Sequence, residues 1–559
     1  MELYSQFEKR KRYLVFFCLI VLAVIASSPL SFHSWFKGDD CIIHLIRSND
    51  VCYEISAGDF YPRFLTQACF GKGLPTLNFY SPAFYLMVGY LNAVGIHIVA
   101  AMTLVCAASF LVGGWGMYLW TRKYCGEMGA MLAAAIYIFA PYHLVDIYLR
   151  GALPEFVALS ILPLLFHAMD LCFSSERSLR GIVWTGVASA AIVLTHNLTV
   201  VTILPFAVCY FVWCFFHYQA TWRKGLLASL GPLLGAGLSS FYWIPVLLER
   251  KDLLGTGVAI TKSLHYSRHF MSIPEFFRSG EFSVFALSPM YVLVFVCVAL
   301  SITALLSKES EKGFGVLAML CCLASVVLTL SISTPLYQAI PALQYLQFPY
   351  RFLGPATLFL SAFCAFVPGS KLLAGHRKAC WGVCCLIILL CIPLSGGLRK
   401  VEGELPSFPP NPVAFGKNSY PIFRMWSDSD FMPADSSLSR GDVVEFPMLS
   451  NGQMAVPLTN YRTAGSTLSC RVALQQGADL VGPWLYFPGW KARCDNSELP
   501  VSPDRNGLIA VTIPAGVHDI QVWFGTTKPR VAGWAATGIT LAILASCLLL
   551  HRRSRPGRD

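Results

Sequence analysis

Charge is what this 559-residue sequence has least of: Asp, Glu, Lys and Arg make up 13% of it, against about a quarter in ordinary soluble domains. With 55% hydrophobic residues and a mean hydropathy of +0.57, that deficit excludes a soluble globular fold. The chain also lacks a phosphate-cradling Walker loop, a dinucleotide-binding glycine fingerprint and a His-Glu-x-x-His zinc motif. ATP hydrolysis, nicotinamide chemistry and metalloprotease chemistry lose their support with them. No small-residue cleavage site follows the first apolar run, Tyr13 to Leu30, so it reads as a retained signal anchor behind Lys9-Arg10-Lys11-Arg12. Cysteine is not scarce, at 20, but most cysteines lie inside apolar runs, as at Cys321-Cys322 and Cys384-Cys385. There they read as small packing residues. Cys470 and Cys494, in a segment expected outside the membrane, are the exception and form a plausible disulfide.

What the sequence has is apolar length. Windows of about 20 apolar residues predict twelve spans, near 13–31, 101–121, 127–145, 154–172, 181–197, 198–216, 224–244, 286–306, 314–331, 350–369, 378–396 and 532–551. This is a polytopic α-helical membrane protein. Its net charge of +11 reports topology and not nucleic acid, because the basic pairs collect in alternate short loops on the side of the basic N-terminus. That pattern keeps both termini cytoplasmic. It also requires the apolar segment 81–99 to lie along the membrane or re-enter it, inside a first external loop of 32–100.

Between 397 and 530 the composition changes. Pro-rich 405–412 reads as an extended linker. Val443 to Phe446, Leu485 to Phe487, Leu508 to Ile513 and His518 to Phe524 then read as short strands, divided by turns at Asn506-Gly507 and Pro514 to Gly516. A small all-β domain outside the membrane is expected, with residues 531–559 as the last span and a basic tail.

The polar residues concentrate at one level. In the first external loop, a helix through Asp40, His44 and Arg47 would place all three on one face, at i, i+4 and i+7. The same loop supplies Asp39, Arg63 and Tyr80. The predicted topology brings Asp146, Arg150, Glu155, His196, Asn197, Gln347 and Arg351 to the same membrane side. Ionisable groups at span ends are costly to bury and mark functional sites, although each also suits a helix cap, a solvated loop or a snorkelling anchor.

Several of these segments are familiar together: Gly58 to Arg63, Gly71 to Pro75 with Asn78 to Pro82, Ala140-Pro141-Tyr142-His143 with Arg150 and Glu155, Leu194 to Asn197, and Gln347 to Phe352. The set resembles the bacterial membrane family labelled 6-pyruvoyl-tetrahydropterin synthase-related, which in turn resembles the GT-C glycosyltransferases. Residues 486–492, 506–508, 514–518 and 526–530 are similar to the C-terminal module of YfhO-like membrane glycosyltransferases. The resemblance covers nearly the whole chain and implies a GT-C-like transmembrane domain over 1–396 in a bacterial inner membrane, with the β domain extracytoplasmic. It implies transfer of a sugar from a polyprenyl-phosphate donor to a glycan, lipid or protein acceptor, with no nucleic acid partner.

In that reading Asp40 is the base and Asp39 its rival, with Glu155 as a further acidic residue. His44, Arg47, Arg63, Tyr80, Asp146, Arg150, His196, Asn197, Gln347 and Arg351 would bind substrate. No cofactor is implied and a divalent metal is left open; His143 and His196 alone do not make a metal site. The competing readings are a lipid-linked sugar flippase or transporter and a non-catalytic envelope-assembly protein.

Overall fold

The computed structural model describes residues 2–30, 32, 35–174, 178–253, 265–272, 289–306, 312–373, 376–399, 402–404, 433, 447–450, 455–458 and 460–553. The protein is mostly helical. Among the described residues seven helices are long and apolar enough to cross a membrane, or eight if the bent pair Trp222–Leu238 and Ser240–Asp252 counts as one span. Twelve were expected, and the reasons for the difference are local. Pro289–Leu305 has 17 residues, and the apolar part of the helix after Arg377 is Lys378–Leu394; both fall below span length. The expected spans 101–121 and 127–145 run on as one helical stretch, Ile98–Arg150, of 53 residues. The stretch nevertheless contains two helices that meet at a kink and pack side by side, since a Cβ added to Gly114 would stand 2.6 Å from Ile138 Cδ1. It is interrupted at Gly126, where φ is 68° and the backbone is not helical. The first expected span falls in the helix Glu2–Ser27, only part of which has described side chains. Segment 81–99 holds an 11-residue helix, Ala83–Ala93, too short to cross at that rise.

The chain divides into two compact units. The first comprises Met1–Cys41, Met102–Gly237 and Ile260–Pro406; the second comprises Ile42–Ala101, Leu238–Ala259 and Ser407–Asp559. In the first, close helix packing depends on small residues. A Cβ added to Gly186 would meet Leu234 Cδ2 at 2.6 Å, and one added to Gly235 would meet Ser189 Cβ at 2.5 Å. The strand Phe36–Lys37 pairs antiparallel with Glu402–Glu404, which anchors the segment leading to Asp39 and Asp40.

The second unit contains the β module. One antiparallel sheet runs in the order Ser502–Pro503, Leu508–Ile513, Ala478–Leu485, Met448–Ser450 and Ala455–Pro457. The other runs Tyr461–Ala464, Thr467–Leu474, Gly516–Phe524, Trp490–Cys494 and Ser497–Leu499. Alternation along Trp490–Cys494 turns Trp490, Ala492 and Cys494 inward. The core packs Trp484 on Trp490, stacked at 5.2 Å, together with Phe487, Val511 and Val522. Phe64 and Phe79 of the first loop complete it, Phe64 edge-on to Trp490 at 5.0 Å and Phe79 edge-on to Phe487 at 5.7 Å. The expected strand 443–446 and the Pro-rich linker 405–412 lie outside the described residues.

The expected disulfide is absent: Cys470 and Cys494 are both free and buried. Register explains why. Both cysteines pair with Ile520, one from each side, so two strand spacings, about 9–10 Å, separate backbones that a disulfide needs within about 7 Å.

Candidate functional site

The first unit holds a buried cluster of opposite charges. After Ala140 the helix resumes with Pro at its first position, then widens into a single π-type turn, Asp146–Arg150, ending at left-handed Gly151. Such turns recur at functional sites. Leu153–Phe173 follows with Glu155 in its first turn, where a carboxylate suits the helix dipole. Asp146, Arg150 and Glu155 are all buried, Asp146 completely.

Glu155 is the hub. Its Oε2 accepts from Arg351 Nη1 at 2.6 Å and from Arg150 Nη1 and Nη2, each at 3.3 Å. Its Oε1 accepts from the Tyr142 hydroxyl at 2.9 Å. Arg150 also donates to Asp146 Oδ1, and its guanidinium lies over the Tyr350 ring at 5.0 Å. Arg351 Nη1 faces His196 Nε2 at 3.2 Å. Because an arginine only donates, that nitrogen accepts and the imidazole is neutral, its Nδ1–H directed to Thr199 Oγ1 at 2.8 Å. Two carboxylates thus balance two guanidiniums, but incompletely: Asp146 Oδ2 and Arg351 Nε are buried with no hydrogen-bond partner among the described residues.

A cation at a helix N-terminus is unfavourable, and the Arg351 side chain is 11% exposed. It is therefore held by Glu155 and is not an interfacial anchor. Just before it, Gln347 takes a φ of 60°, strained for a residue with a side chain, which turns the chain into Pro349–Phe352.

Asp39 and Asp40 reach this region through backbone contacts. Asp40 N–H donates to Arg150 O at 2.7 Å and Asp39 N–H to Leu149 O at 3.2 Å. The approach requires Gly151, whose φ is 67° and where an added Cβ would stand 2.3 Å from Cys41 Sγ. Asp39 is exposed and Asp40 half-buried. Asp40 lies within electrostatic reach of Asp146 and Tyr350. The expectation that Asp40 shares a helix face with His44 and Arg47 needs correction. The helix begins at Cys41, which leaves Asp40 at its N-terminal end, where Asp is a common cap.

Of the other expected residues, Asn197 is exposed at the start of Asn197–His217. His44, Arg47, Arg63 and Tyr80 belong to the second unit. There His44 Nδ1 meets the Tyr85 hydroxyl at 2.7 Å, and Arg47 lies over the Tyr80 ring at 4.7 Å. Arg63 donates to Asn78 Oδ1 at 3.0 Å and to Phe241 O at 2.7 Å. Tyr142, Tyr350 and Thr199 take part in the cluster without having been singled out individually. Tyr142 and Tyr350 lie in the motif segments themselves; Thr199 follows His196 by three residues, a helical spacing that could have found it.

The architecture is that of a polytopic helical membrane protein carrying a β module. The model for the "6-pyruvoyl-tetrahydropterin synthase related domain; membrane protein" matches residues 77–402, more than half the chain, and the chain belongs to that family. An uncharacterised protein of Lactococcus lactis subsp. cremoris is 21% identical over 344 residues, 58% of this chain and 55% of the relative, so the chain spans about half of that protein's length. Among solved structures, the mycobacterial arabinofuranosyltransferase AftD superposes with a TM-score of 0.49 at 15% identity, over 72% of this chain and 28% of AftD. The oligosaccharyltransferase AglB of Archaeoglobus fulgidus gives 0.42 at 14%, over 71% and 57%. ArnT of Cupriavidus metallidurans gives 0.30 at 12%, over 65% and 78%.

Proposed function

We propose that the protein is a bacterial inner-membrane glycosyltransferase of GT-C type that moves a sugar from a polyprenyl-phosphate carrier to an extracytoplasmic acceptor. The observation that carries this reading is the state of Arg351. Its Nη1 is held by Glu155 and His196, while its buried Nε has no partner among the described residues. A guanidinium with an unused N–H suits an anionic phosphate oxygen. Arg150, fixed by Asp146 and Glu155, adds a second positive charge where the leaving phosphate gains a negative one.

In this reading residues 1–396 carry out transfer, 397–530 position the acceptor and 531–559 anchor the chain, with both termini cytoplasmic. Asp40 takes the proton of the acceptor hydroxyl as its oxygen attacks the anomeric carbon. The bond from that carbon to the phosphate breaks, and the polyprenyl phosphate leaves with the bonding pair, inverting the centre. Glu155 holds the two arginines in place, and His196, as a neutral acceptor, fixes the rotamer of Arg351.

The test is lipid-extract mass spectrometry of cells carrying Asp40→Asn in place of the native chain. A polyprenyl-phosphate sugar should accumulate and the glycosylated acceptor should disappear, with the protein still present at native level in the membrane. Unchanged product would remove Asp40 from the mechanism.

A second reading, a transporter of lipid-linked sugars, draws on Asp170 near the other end of Leu153–Phe173. This buried residue accepts from Tyr124 at 2.7 Å and Tyr218 at 3.2 Å, and its Oδ2 is unpartnered among the described residues. A transporter needs polar stations at both ends of a path. It would move carrier-linked sugar across vesicles with Asp40→Asn in place, whereas the transferase forms no product.

A further inference from the structure

The β module contains one more convergence of side chains. Cys494 ends the strand Trp490–Cys494, facing inward, and pairs with Ser497 across a two-residue turn that begins at Asp495. His518, on the neighbouring strand Gly516–Phe524, stands two residues before the inward-facing Ile520 and so shares its face of the sheet. Cys494 Sγ, one carboxylate oxygen of Asp495 and a ring nitrogen of His518 lie within 4.8 Å of one another. His518 Nδ1 and Asp495 Oδ2 are 2.8 Å apart, and Cys494 Sγ and Asp495 Oδ2 are 3.9 Å apart.

We propose that Cys494, Asp495 and His518 form a three-ligand site for a zinc-class divalent metal, with water in the fourth position, that pins the 494–497 turn to the strand Gly516–Phe524. Tetrahedral zinc, with bonds of about 2.0–2.3 Å, separates such ligand atoms by about 3.3–3.6 Å. The separations of 2.8 and 3.9 Å bracket that value and the third is within 4.8 Å, so side-chain shifts of up to about 1 Å bring the three ligand atoms to tetrahedral spacing.

The groups behind the ligands have the arrangement a metal site needs. His518 directs Nε2 at Ala515 O, 3.2 Å away, which fixes the tautomer that presents Nδ1 as a ligand. Asp495 Oδ1 accepts from Asp519 N–H at 2.9 Å, leaving Oδ2 for the metal. The Asp495 backbone is held at a φ of 53°, with its own N–H donated to Asp519 O at 2.8 Å. Without a cation, the imidazole closes on the carboxylate at 2.8 Å. With one, a thiolate, a carboxylate and a neutral imidazole balance a divalent charge, which suits a half-buried rim. Sulfur with nitrogen selects zinc-like ions over magnesium or calcium.

The experiment titrates the reduced, full-length protein in detergent with cobalt(II), and separately with zinc. One cobalt per chain should bind with a near-ultraviolet thiolate-to-metal charge-transfer band, and zinc should raise the unfolding midpoint. Cys494→Ser and His518→Ala should abolish the band and weaken binding more than about a hundredfold. Cys470→Ser, a buried free cysteine on the other side of Ile520, should leave both intact. Asp495→Asn changes a surface residue and keeps the proposal testable if Cys494→Ser does not fold; it should weaken binding by at least tenfold. Cobalt binding without the thiolate band, or a zinc shift that survives Cys494→Ser, overturns the assignment.

Discussion

Two buried charge clusters, one in each unit, differ in how completely they are satisfied. In the first unit Asp146, Arg150, Glu155 and Arg351 form a balanced set with a carboxylate oxygen and a guanidinium nitrogen left without partners among the described residues. In the second, Glu249 accepts from Asn78 Nδ2 at 2.7 Å, from Arg530 Nε at 3.1 Å and from Thr527. The other two nitrogens of Arg530 donate to Gly525 O at 3.0 Å and Pro488 O at 2.8 Å, and Arg63 joins the network through Asn78. Both are buried ion-pair networks, the first with two carboxylates and two guanidiniums, the second with one carboxylate and two guanidiniums. A network in which every buried nitrogen and oxygen has a partner among the described residues serves as a joint; one with open positions is built to receive something.

The comparison breaks most visibly at Arg530. Replacing it with Ala strands Glu249 in the interior and should cost about 3–5 kcal/mol, read as a large fall in the thermal unfolding midpoint in detergent. Arg351→Ala leaves Glu155 bonded to Arg150 and Tyr142 and should cost only about 1–3 kcal/mol, while abolishing transfer.

Asp40→Asn should lower transfer by at least about a hundredfold with an unchanged unfolding midpoint. Asp39→Asn, at an exposed position, should stay within a few-fold of native. Equal losses from the two would remove the preference for Asp40.

Glu54 is a third kind of buried ionisable group, with no salt-bridge partner among the described residues and accepting from Thr66 N–H at 2.8 Å. Burial raises its pKa from 4.5 to about 8. The folded chain therefore keeps a proton that the unfolded chain releases, so stability is highest below pH 4.5 and falls as pH rises towards 8. The slope reaches at most about 1.4 kcal/mol per pH unit. Unfolding midpoints measured across that range should flatten in Glu54→Gln.

The smallest effect belongs to the exposed pair Arg471 and Asp519, 3.8 Å apart with each side chain 69% exposed. Arg471→Ala should change stability by less than about 1 kcal/mol.

Much of the framework was legible because it is local. Leu508–Ile513 emerged from its alternation and its flanking turns, and most expected spans contain helices because apolar length alone specifies them. The span count fell short where helices were too short to cross and where two helices meeting at Gly126 run on as one stretch. The clusters were legible only as lists of residues. Glu155 and Arg351 are 196 positions apart, and Glu249 and Arg530 281 apart; no periodicity encodes such pairings. Arg63, with the same residue type and the same expected side of the membrane as Arg351, sits in the joint, a difference set by Asn78 and Phe241. Composition permitted a bridge between Cys470 and Cys494, and strand register forbids it.

Arg530 lies in the first turn of Lys528–Arg553, which follows the strand Gly516–Phe524 after a three-residue link, 525–527, where an unsupported chain would behave as a swivel. Its guanidinium grips two carbonyls of the module on one side and Glu249, at the end of Ser240–Glu249, on the other. Torque applied to the sandwich is therefore transmitted to that helix end with no slack in residues 525–527.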